Sequence, residues 1–487
     1  MKARHLTSVE TPLSRHAGEE AVLRDLRRII AGDGVLSPQA GEEKYQRGYR
    51  YGSGRALAIA RPATTEELAA VVRYCFAHEL RIVPQGANTG LVAASTPDAS
   101  GEQLILSLER LRGIESVDAQ GRTATARAGT RLSELNQATR PHELFFPIDL
   151  GADPSLGGMI ATNTGGARLL RYGDVQKNLM GLEVVLADAD ATVLSDMKGL
   201  RKDNSGIDLK QLFVGTSGSF GIVTRAQVEL HRVPRQSATA LVVPSHHAQV
   251  PELLTRLETG AGEFLSAFEG MSANAMRAAL AHNSRLRNPF APADLPDYAV
   301  LIELTSTLGT AHVDLYELMT ELLGQAAQGP GAVIADARLG RPEELWAIRH
   351  CISDGLRAAG RVIGFDISVA RSRLPDLRAN LLRLVGTHHP YLRVCDFGHC
   401  GDGGDHFNIV WPHDSRDYEP AAVESLRRLI YDCVVQGYGG SFSAEHGVGP
   451  YNLAYYRRYA SAAERRMATQ LKRSCDPKGL LGSVDFS

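Results

Sequence analysis

Three runs of small residues constrain this chain more than any other feature in it. They are Pro84-Gln85-Gly86-Ala87-Asn88-Thr89-Gly90-Leu91, Ser155-Leu156-Gly157-Gly158-Met159-Ile160-Ala161-Thr162-Asn163-Thr164-Gly165-Gly166 and Gly215-Thr216-Ser217-Gly218-Ser219-Phe220-Gly221. The first follows a predicted strand, Arg81 to Pro84, and its lack of bulk lets successive backbone N–H groups converge on an anion such as a pyrophosphate. The second admits a flat ligand close to the main chain. Two familiar explanations fail, because neither GxGxxG nor GxxxxGK[ST] occurs anywhere in the chain; a Rossmann dinucleotide fingerprint and a P-loop are both excluded. Taken singly, each run reads as a turn. Together they ask for a ligand of another class.

The pattern around these loops is that of an α+β protein. Residues 19–30 have helical spacing and end before Gly32-Asp33-Gly34, a C-cap signal, so 1–55 reads as a lead-in segment. From Ala56 a strand (57–60), a helix (65–78, with Glu66 and Glu67 in its first turn) and a strand (81–84) make an α/β unit. Short apolar strands at 104–108, 123–128, 182–186 and 221–228 extend a first domain over 56–233, with Pro234 at its boundary. Strands at 240–243 and 300–304 and helices at 313–325, 343–359 and 377–385 give a second, α+β domain over 234–417. Residues 418–487 read as mostly helical, interrupted by the glycine-rich stretch 437–449.

Composition narrows the function. A chain of 487 residues with 44% hydrophobic and 22% charged residues can bury substantial cores. A net charge of −2, with both signs mixed along the chain, offers no footprint for nucleic acid or an anionic membrane. The six cysteines form no CxxC pair, which points away from a disulfide framework and towards a reducing compartment. No stretch reaches the length of a membrane span, and the N-terminal residues carry charges of both signs; a cytoplasmic protein is the expectation.

The reactive groups gather late in the chain. In Gly398-His399-Cys400-Gly401-Asp402-Gly403-Gly404-Asp405-His406-Phe407-Asn408 the residues 401–405 read as a tight turn and 407–411 as a strand, so His399 and His406 face each other across a hairpin. Glu445, in Ser443-Ala444-Glu445-His446-Gly447, completes a His2Glu set for a divalent ion with open positions, leaving His446 as a base. The set suits zinc and also accepts manganese, cobalt or iron. Cys395 and Cys400 read as strand residues, and Asp402 with Asp405 as shapers of the turn. Trp346 to Ser353 reads as one helix, with Arg349 and Ser353 on one face. Arg349 suits a carboxylate through two parallel hydrogen bonds, although a lone arginine also reads as half of an ion pair.

The order of these motifs, from about Ala56 to the C-terminus, resembles the FAD-dependent 2-hydroxyacid dehydrogenases of the vanillyl-alcohol oxidase superfamily. Residues 201–213 look most like the D-2-hydroxyglutarate and D-lactate dehydrogenase branch. The resemblance implies an FAD-binding domain over 56–233, a substrate cap domain over 234–417 and a C-terminal segment, 418–487, that completes the active site. It places Gln85, Gly86, Ala87, Asn88, Thr89 and Gly90 on the FAD pyrophosphate, and Ser155, Gly158, Thr162, Asn163 and Ile222 along the flavin and adenosine. The FAD is expected to be noncovalent, since residues 85–89 include neither His nor Cys. By the same likeness His399, His406 and Glu445 hold the metal, His446 is the base, and Arg349, Ser353 and Asn408 meet the substrate. The implied reaction is oxidation of a D-2-hydroxy acid to the 2-oxo acid by hydride transfer to flavin, with D-2-hydroxyglutarate and D-lactate as leading substrates. An electron-transfer flavoprotein or a quinone would take the electrons, and a homodimer is compatible with the likeness.

The chain departs from that pattern in places. Gly364 stands where D-2-hydroxyglutarate enzymes carry a lysine for the distal carboxylate, with Arg361 a nearby substitute. Gly404-Asp405 replaces Asn-Leu, Ser217 replaces a glutamate, and the tail reads Gly482-Ser483-Val484-Asp485. Two other classes fit parts of the sequence: a non-redox flavoenzyme of the alkyl-glycerone-phosphate synthase type, and a flavin-free metallohydrolase using the His2Glu centre alone.

Overall fold

The computed structural model describes residues 15–39 and 42–486. The helix Thr65–His78 shows how local sequence sets its elements. Thr64 caps the start by accepting the Glu67 N–H, and Glu79 ends it in the left-handed conformation at φ 55°. Leu68, Val71, Val72 and Cys75 recur at helical spacing and are buried in one core, the three aliphatic side chains each contributing about 1.5–3 kcal/mol. The helix crosses between Ala56–Ala60 and Arg81–Gln85, which lie parallel on either side of Gln103–Ser107. An antiparallel sheet adjoins it, in the order Ile114–Asp118, Thr123–Arg127, Ile222–Glu229, Leu179–Val185 and Val193–Asp196. The same core takes Leu23 and Leu26 from the helix Arg15–Ile29 and Leu481 from the far end of the chain. That return is tied down where the Ile82 N–H donates to the Leu480 carbonyl (2.7 Å) and the Gly482 N–H to that of Ile82 (2.8 Å).

The second half is built on a seven-stranded sheet ordered Ile334–Gly340, Gln236–Pro244, Tyr298–Ser306, Leu265–Ser272, Phe397–Gly398, Gly404–His406 and Asp366–Ser368. Helices Val250–Ala261 and Leu315–Ala326 pack into the core on one face, and Ala273–His282 and Pro342–Ala359 into the core on the other. Tyr298–Ser306 is therefore buried along its whole length. Within it the Glu303 carboxylate receives Arg168 through Nε (2.8 Å) and Nη2 (2.9 Å), Trp346 Nε1 (2.7 Å) and the Ser266 hydroxyl (2.8 Å). This fully bonded charge joins the loop before helix Leu169–Tyr172 to the seven-stranded sheet. Removing Arg168 alone would leave a buried anion at a cost of about 3–5 kcal/mol.

The short strands at the end of this sheet carry the site, and here two expectations change. The strand expected over 407–411 starts only at Ile409, because the chain leaves the seven-stranded sheet after His406 and enters a small sheet with Gly360–Ile363 and Arg393–Val394. Phe407 and Asn408 make that crossing, with the Asn408 N–H and Nδ2 both donating to the His406 carbonyl (2.7 and 3.1 Å). Asp405 is not a turn residue. It pairs with Ile367 inside the sheet, where burial pushes its carboxyl well above the usual range. Asp402 alone shapes the turn, accepting the Gly404 N–H (2.8 Å).

Candidate active site

A cavity of about 440 Å³ runs between the two halves, walled at one end by the first two small-residue loops and at the other by imidazoles. The loop after Arg81–Gln85 turns its long side chains away from the cavity. Gln85 Nε2 donates to the carbonyls of Tyr45 (2.8 Å) and Ser95 (2.7 Å). Asn88, left-handed at φ 56°, donates to those of Lys44 (3.0 Å) and Arg47 (2.8 Å). Both residues therefore hold the loop, and what it presents to a ligand is mainly backbone. Ser155 Oγ accepts the N–H groups of Ala87 (3.2 Å) and Gly158 (3.3 Å), clamping the two loops together. A Cβ at Gly86 would lie 2.2 Å from that oxygen, whereas one at Gly90 would meet nothing nearer than Ser95 Oγ at 4.0 Å. This bare cradle fits a phosphate-bearing group held by main-chain donors.

Ala87, Thr89, Thr162 and Ile222 line the same wall. Asn163, expected there, does not: it closes helix Leu156–Thr162 at φ 50° and turns its side chain to Asp174 Oδ2 (2.9 Å).

At the other end, Phe397 pairs with His406, and His406 with Asp366. The Ser443 segment bridges to Asp366, whose Oδ2 accepts the N–H groups of both Glu445 (2.9 Å) and His446 (2.8 Å). These pairings bring together side chains distant in sequence. Nε2 of His406, His399 and His446 lies 3.3, 3.6 and 3.9 Å from the same Glu445 Oε1. Each Nδ1 faces a carboxylate: His399 meets Glu269 Oε1 at 2.8 Å, and His406 and His446 approach Asp366 at 3.6 Å. Imidazoles backed by carboxylates around a shared carboxylate are the donor chemistry of a divalent-metal centre. Ligand atoms of Asp366, His406, Glu445 and His446 all lie within 4.8 Å of one another; that group takes in His406 and Glu445 of the expected three, adds Asp366 and His446, and leaves out His399, whose Nε2 lies 3.6 Å from Glu445 Oε1.

The electrostatics separate the three imidazoles. For His406, burial opposes protonation, but hydrogen bonding to Asp366 and Glu445 outweighs it and raises the ring to about 9. His399 is likewise raised, with Glu269 and Glu445 overcoming burial. His446 goes the other way, because burial outweighs the attraction of Asp366 and the charges of His406 and Arg50 add to the effect. It is the imidazole kept neutral, as a base must be.

Arg349 makes an ion pair within the site. Its Nε and Nη2 both lie 2.8 Å from Glu269 Oε2, and the guanidinium sits 4.6 Å from the Phe397 ring centre. Together with His399, it outweighs the effect of burial and holds the Glu269 carboxyl at about 2. Ser353 and Asn408 line the cavity beside it. Arg361 is not at the site; it lies over the Tyr418 ring at 3.9 Å, on an exposed strand position. Sequence reading missed Glu269, Asp366 and the Arg50–Tyr51 pair. No motif marks them, since their roles arise from strand pairing and packing.

A cradle for a phosphate-bearing cofactor opening onto an imidazole–carboxylate centre defines a cofactor-dependent enzyme as the class. Residues 56–195 match the FAD binding domain family, and residues 233–484 match the C-terminal domain of the FAD linked oxidases. The D-2-hydroxyglutarate dehydrogenase, mitochondrial, of Danio rerio is 32% identical over 96% of this chain and 85% of its own length. That of Bos taurus is 34% identical over 94% and 82%. Among solved structures, alkyldihydroxyacetonephosphate synthase (TM-score 0.70, 18% identity, 95% of this chain and 84% of that one) and p-cresol methylhydroxylase with substrate bound (0.71, 16%, 95% and 95%) share the fold. The chain belongs to the FAD-linked oxidases, in the branch of the D-2-hydroxyglutarate and D-lactate dehydrogenases. It is an FAD-dependent oxidoreductase with an α+β fold.

One expectation is overturned by these relatives. The cytoplasmic reading fails because both are named mitochondrial. Unpaired cysteines speak only against an oxidising compartment and do not choose among reducing ones.

Proposed function

We propose that the enzyme oxidises a D-2-hydroxy acid to the 2-oxo acid, using noncovalent FAD and a divalent metal, zinc being the first candidate and manganese, cobalt or iron the others. The observation that carries this reading is the convergence of three imidazole Nε2 atoms on Glu445 Oε1, each ring backed by a carboxylate. The names of the relatives supply the substrate class. Residues 56–233 would bind FAD, 234–417 would cap the substrate, and 418–487 would bring in Glu445 and His446.

When bound, FAD supplies a hydride acceptor and the divalent ion a Lewis acid that acidifies the substrate hydroxyl. His399, His406 and Glu445 would hold the ion, with His446 and Asp366 in reach. His446, held neutral, takes the hydroxyl proton at Nε2 while Asp366 steadies its Nδ1 edge. Asn408 and Ser353 meet the substrate carboxylate, and Arg349 presents the guanidinium edge that Glu269 leaves open. An electron-transfer flavoprotein or a quinone would reoxidise the flavin.

The test is the anaerobic visible spectrum of the purified protein before and after D-2-hydroxyglutarate, D-lactate and their L-enantiomers, alongside metal analysis. Bleaching of the flavin by a D-acid, abolished by a chelator and restored by metal, is the expected result. Bleaching that survives complete metal removal would reject the metal role. A flavin that no hydroxy acid bleaches would reject the substrate class.

A further inference from the structure

Among the described residues, one cation lining the cavity has no protein partner. Arg50 lines it and makes neither an ion pair nor a hydrogen bond among the described residues; its guanidinium lies 5.9 Å from the centre of the neighbouring Tyr51 ring. Arg349, by contrast, already faces Glu269. Arg50 can enter because Gly364 has no side chain. A Cβ built there would begin 3.1 Å from Arg50 Nη1, 3.1 Å from Asn408 Oδ1 and 3.8 Å from Tyr51 Oη, so these three polar groups surround the space that the glycine leaves. Tyr51 is held in place by stacking on Tyr451, ring centres 3.6 Å apart. Arg349 is tied to His399 through Glu269, whereas Arg50 lies beside Asn408 and close enough for its charge to act on His446.

A half-buried guanidinium without a counter-ion is costly unless a ligand supplies one, and its planar fork matches a carboxylate. We infer that Arg50, Tyr51 and the gap at Gly364 form a subsite for a second anionic group, so that the preferred substrate is a 2-hydroxy acid with a distal carboxylate. This rests on the dehydrogenase reading for the hydroxyl end and adds the recognition of the other end.

The test uses the full chain loaded with flavin and metal. Rates of anaerobic flavin bleaching by D-2-hydroxyglutarate and D-lactate are compared for the wild type, Arg50→Ala and Arg50→Lys, and the Kd of unreactive glutarate is read from the flavin difference spectrum. The wild type should favour D-2-hydroxyglutarate. Arg50→Ala should lower the dicarboxylate-to-monocarboxylate ratio by about 30-fold and weaken glutarate to match, as loss of a charged hydrogen-bonding partner predicts. Arg50→Lys should recover part of the ratio. Equal loss with both acids would mean that Arg50 binds the shared carboxylate, and loss of flavin with the ratio intact would mean that it anchors the cofactor; either result overturns the subsite, as does a wild-type preference for D-lactate. If no hydroxy acid bleaches the flavin, the dehydrogenase reading falls and glutarate alone decides: Arg50-dependent binding keeps the subsite, and absent or Arg50-independent binding removes it.

Discussion

The two ends of the cavity are built by opposite means. Around 86–90 and 155–164 much of the wall is main chain, kept bare by glycine and by polar side chains such as Gln85, Asn88 and Asn163 that turn away to brace the loops. Around Glu445 the wall is side chain, and each imidazole is aimed by a carboxylate from another element. A main-chain cradle tolerates changes that preserve backbone and space. A side-chain cluster depends on every member's orientation, so small changes in a supporting residue reach the chemistry.

That contrast can be broken in a definite order. The largest effect is expected from Glu445→Gln, which removes the charge on which three Nε2 atoms converge. Metal should be lost and flavin bleaching slowed by about 10³-fold, the several kcal/mol a Lewis acid supplies, while flavin content stays as in the wild type. Simultaneous loss of flavin would show that the two ends are not independent. Next comes Asp366→Asn, which weakens the support of His406 and His446 and one acceptor of the Glu445 loop. Metal affinity, measured by competition with a chromophoric chelator, should fall by about 10–100-fold.

At the opposite end, Gly90→Val puts bulk into open space without meeting protein, and Gly90 is not among the residues at positive φ. Flavin bound per protein at fixed FAD should drop about tenfold, in keeping with the loss of a close backbone contact. Metal content should not change; a parallel drop in both would again join the two ends.

A pH titration sharpens the picture of the cluster. With His406 raised to about 9, the metal-free ring holds a proton throughout the neutral range, and an incoming ion must displace it. His399, raised as well, must also give up its proton, so metal affinity should rise by at least about tenfold between about pH 7.5 and 8.5, where imidazoles at the ordinary value near 6.5 would give a flat response. A flat response would mean that the carboxylates do not hold those protons. The smallest effect is expected from Arg361→Ala. This arginine stacks on Tyr418 away from the cavity, so the bleaching rate should stay within about twofold, as for most exposed charges.

What could be read from the chain alone follows from the range over which each feature acts. Glycine and small residues act on their own backbone, so the cradle loops were visible in the local pattern, as were the limits of helix Thr65–His78, set by its own cap and apolar spacing. The histidines and Glu445 were legible by residue type and clustering, because few side chains offer that ligand chemistry. Their supports were not. Glu269 reaches His399 across 130 positions, and Asp366 holds the His446 N–H across 80, contacts that exist only once the strands have paired. Arg50 lay in a segment with no regular spacing and gained its position from the gap at Gly364. The sequence by itself determined which chemical groups are available and where the backbone can come close to a ligand. Tertiary structure decided which imidazole stays neutral, which cavity arginine is left without a partner among the described residues and where the Phe407–Asn408 crossing places its amide, because burial and long-range pairing set those energies and neither is a local property.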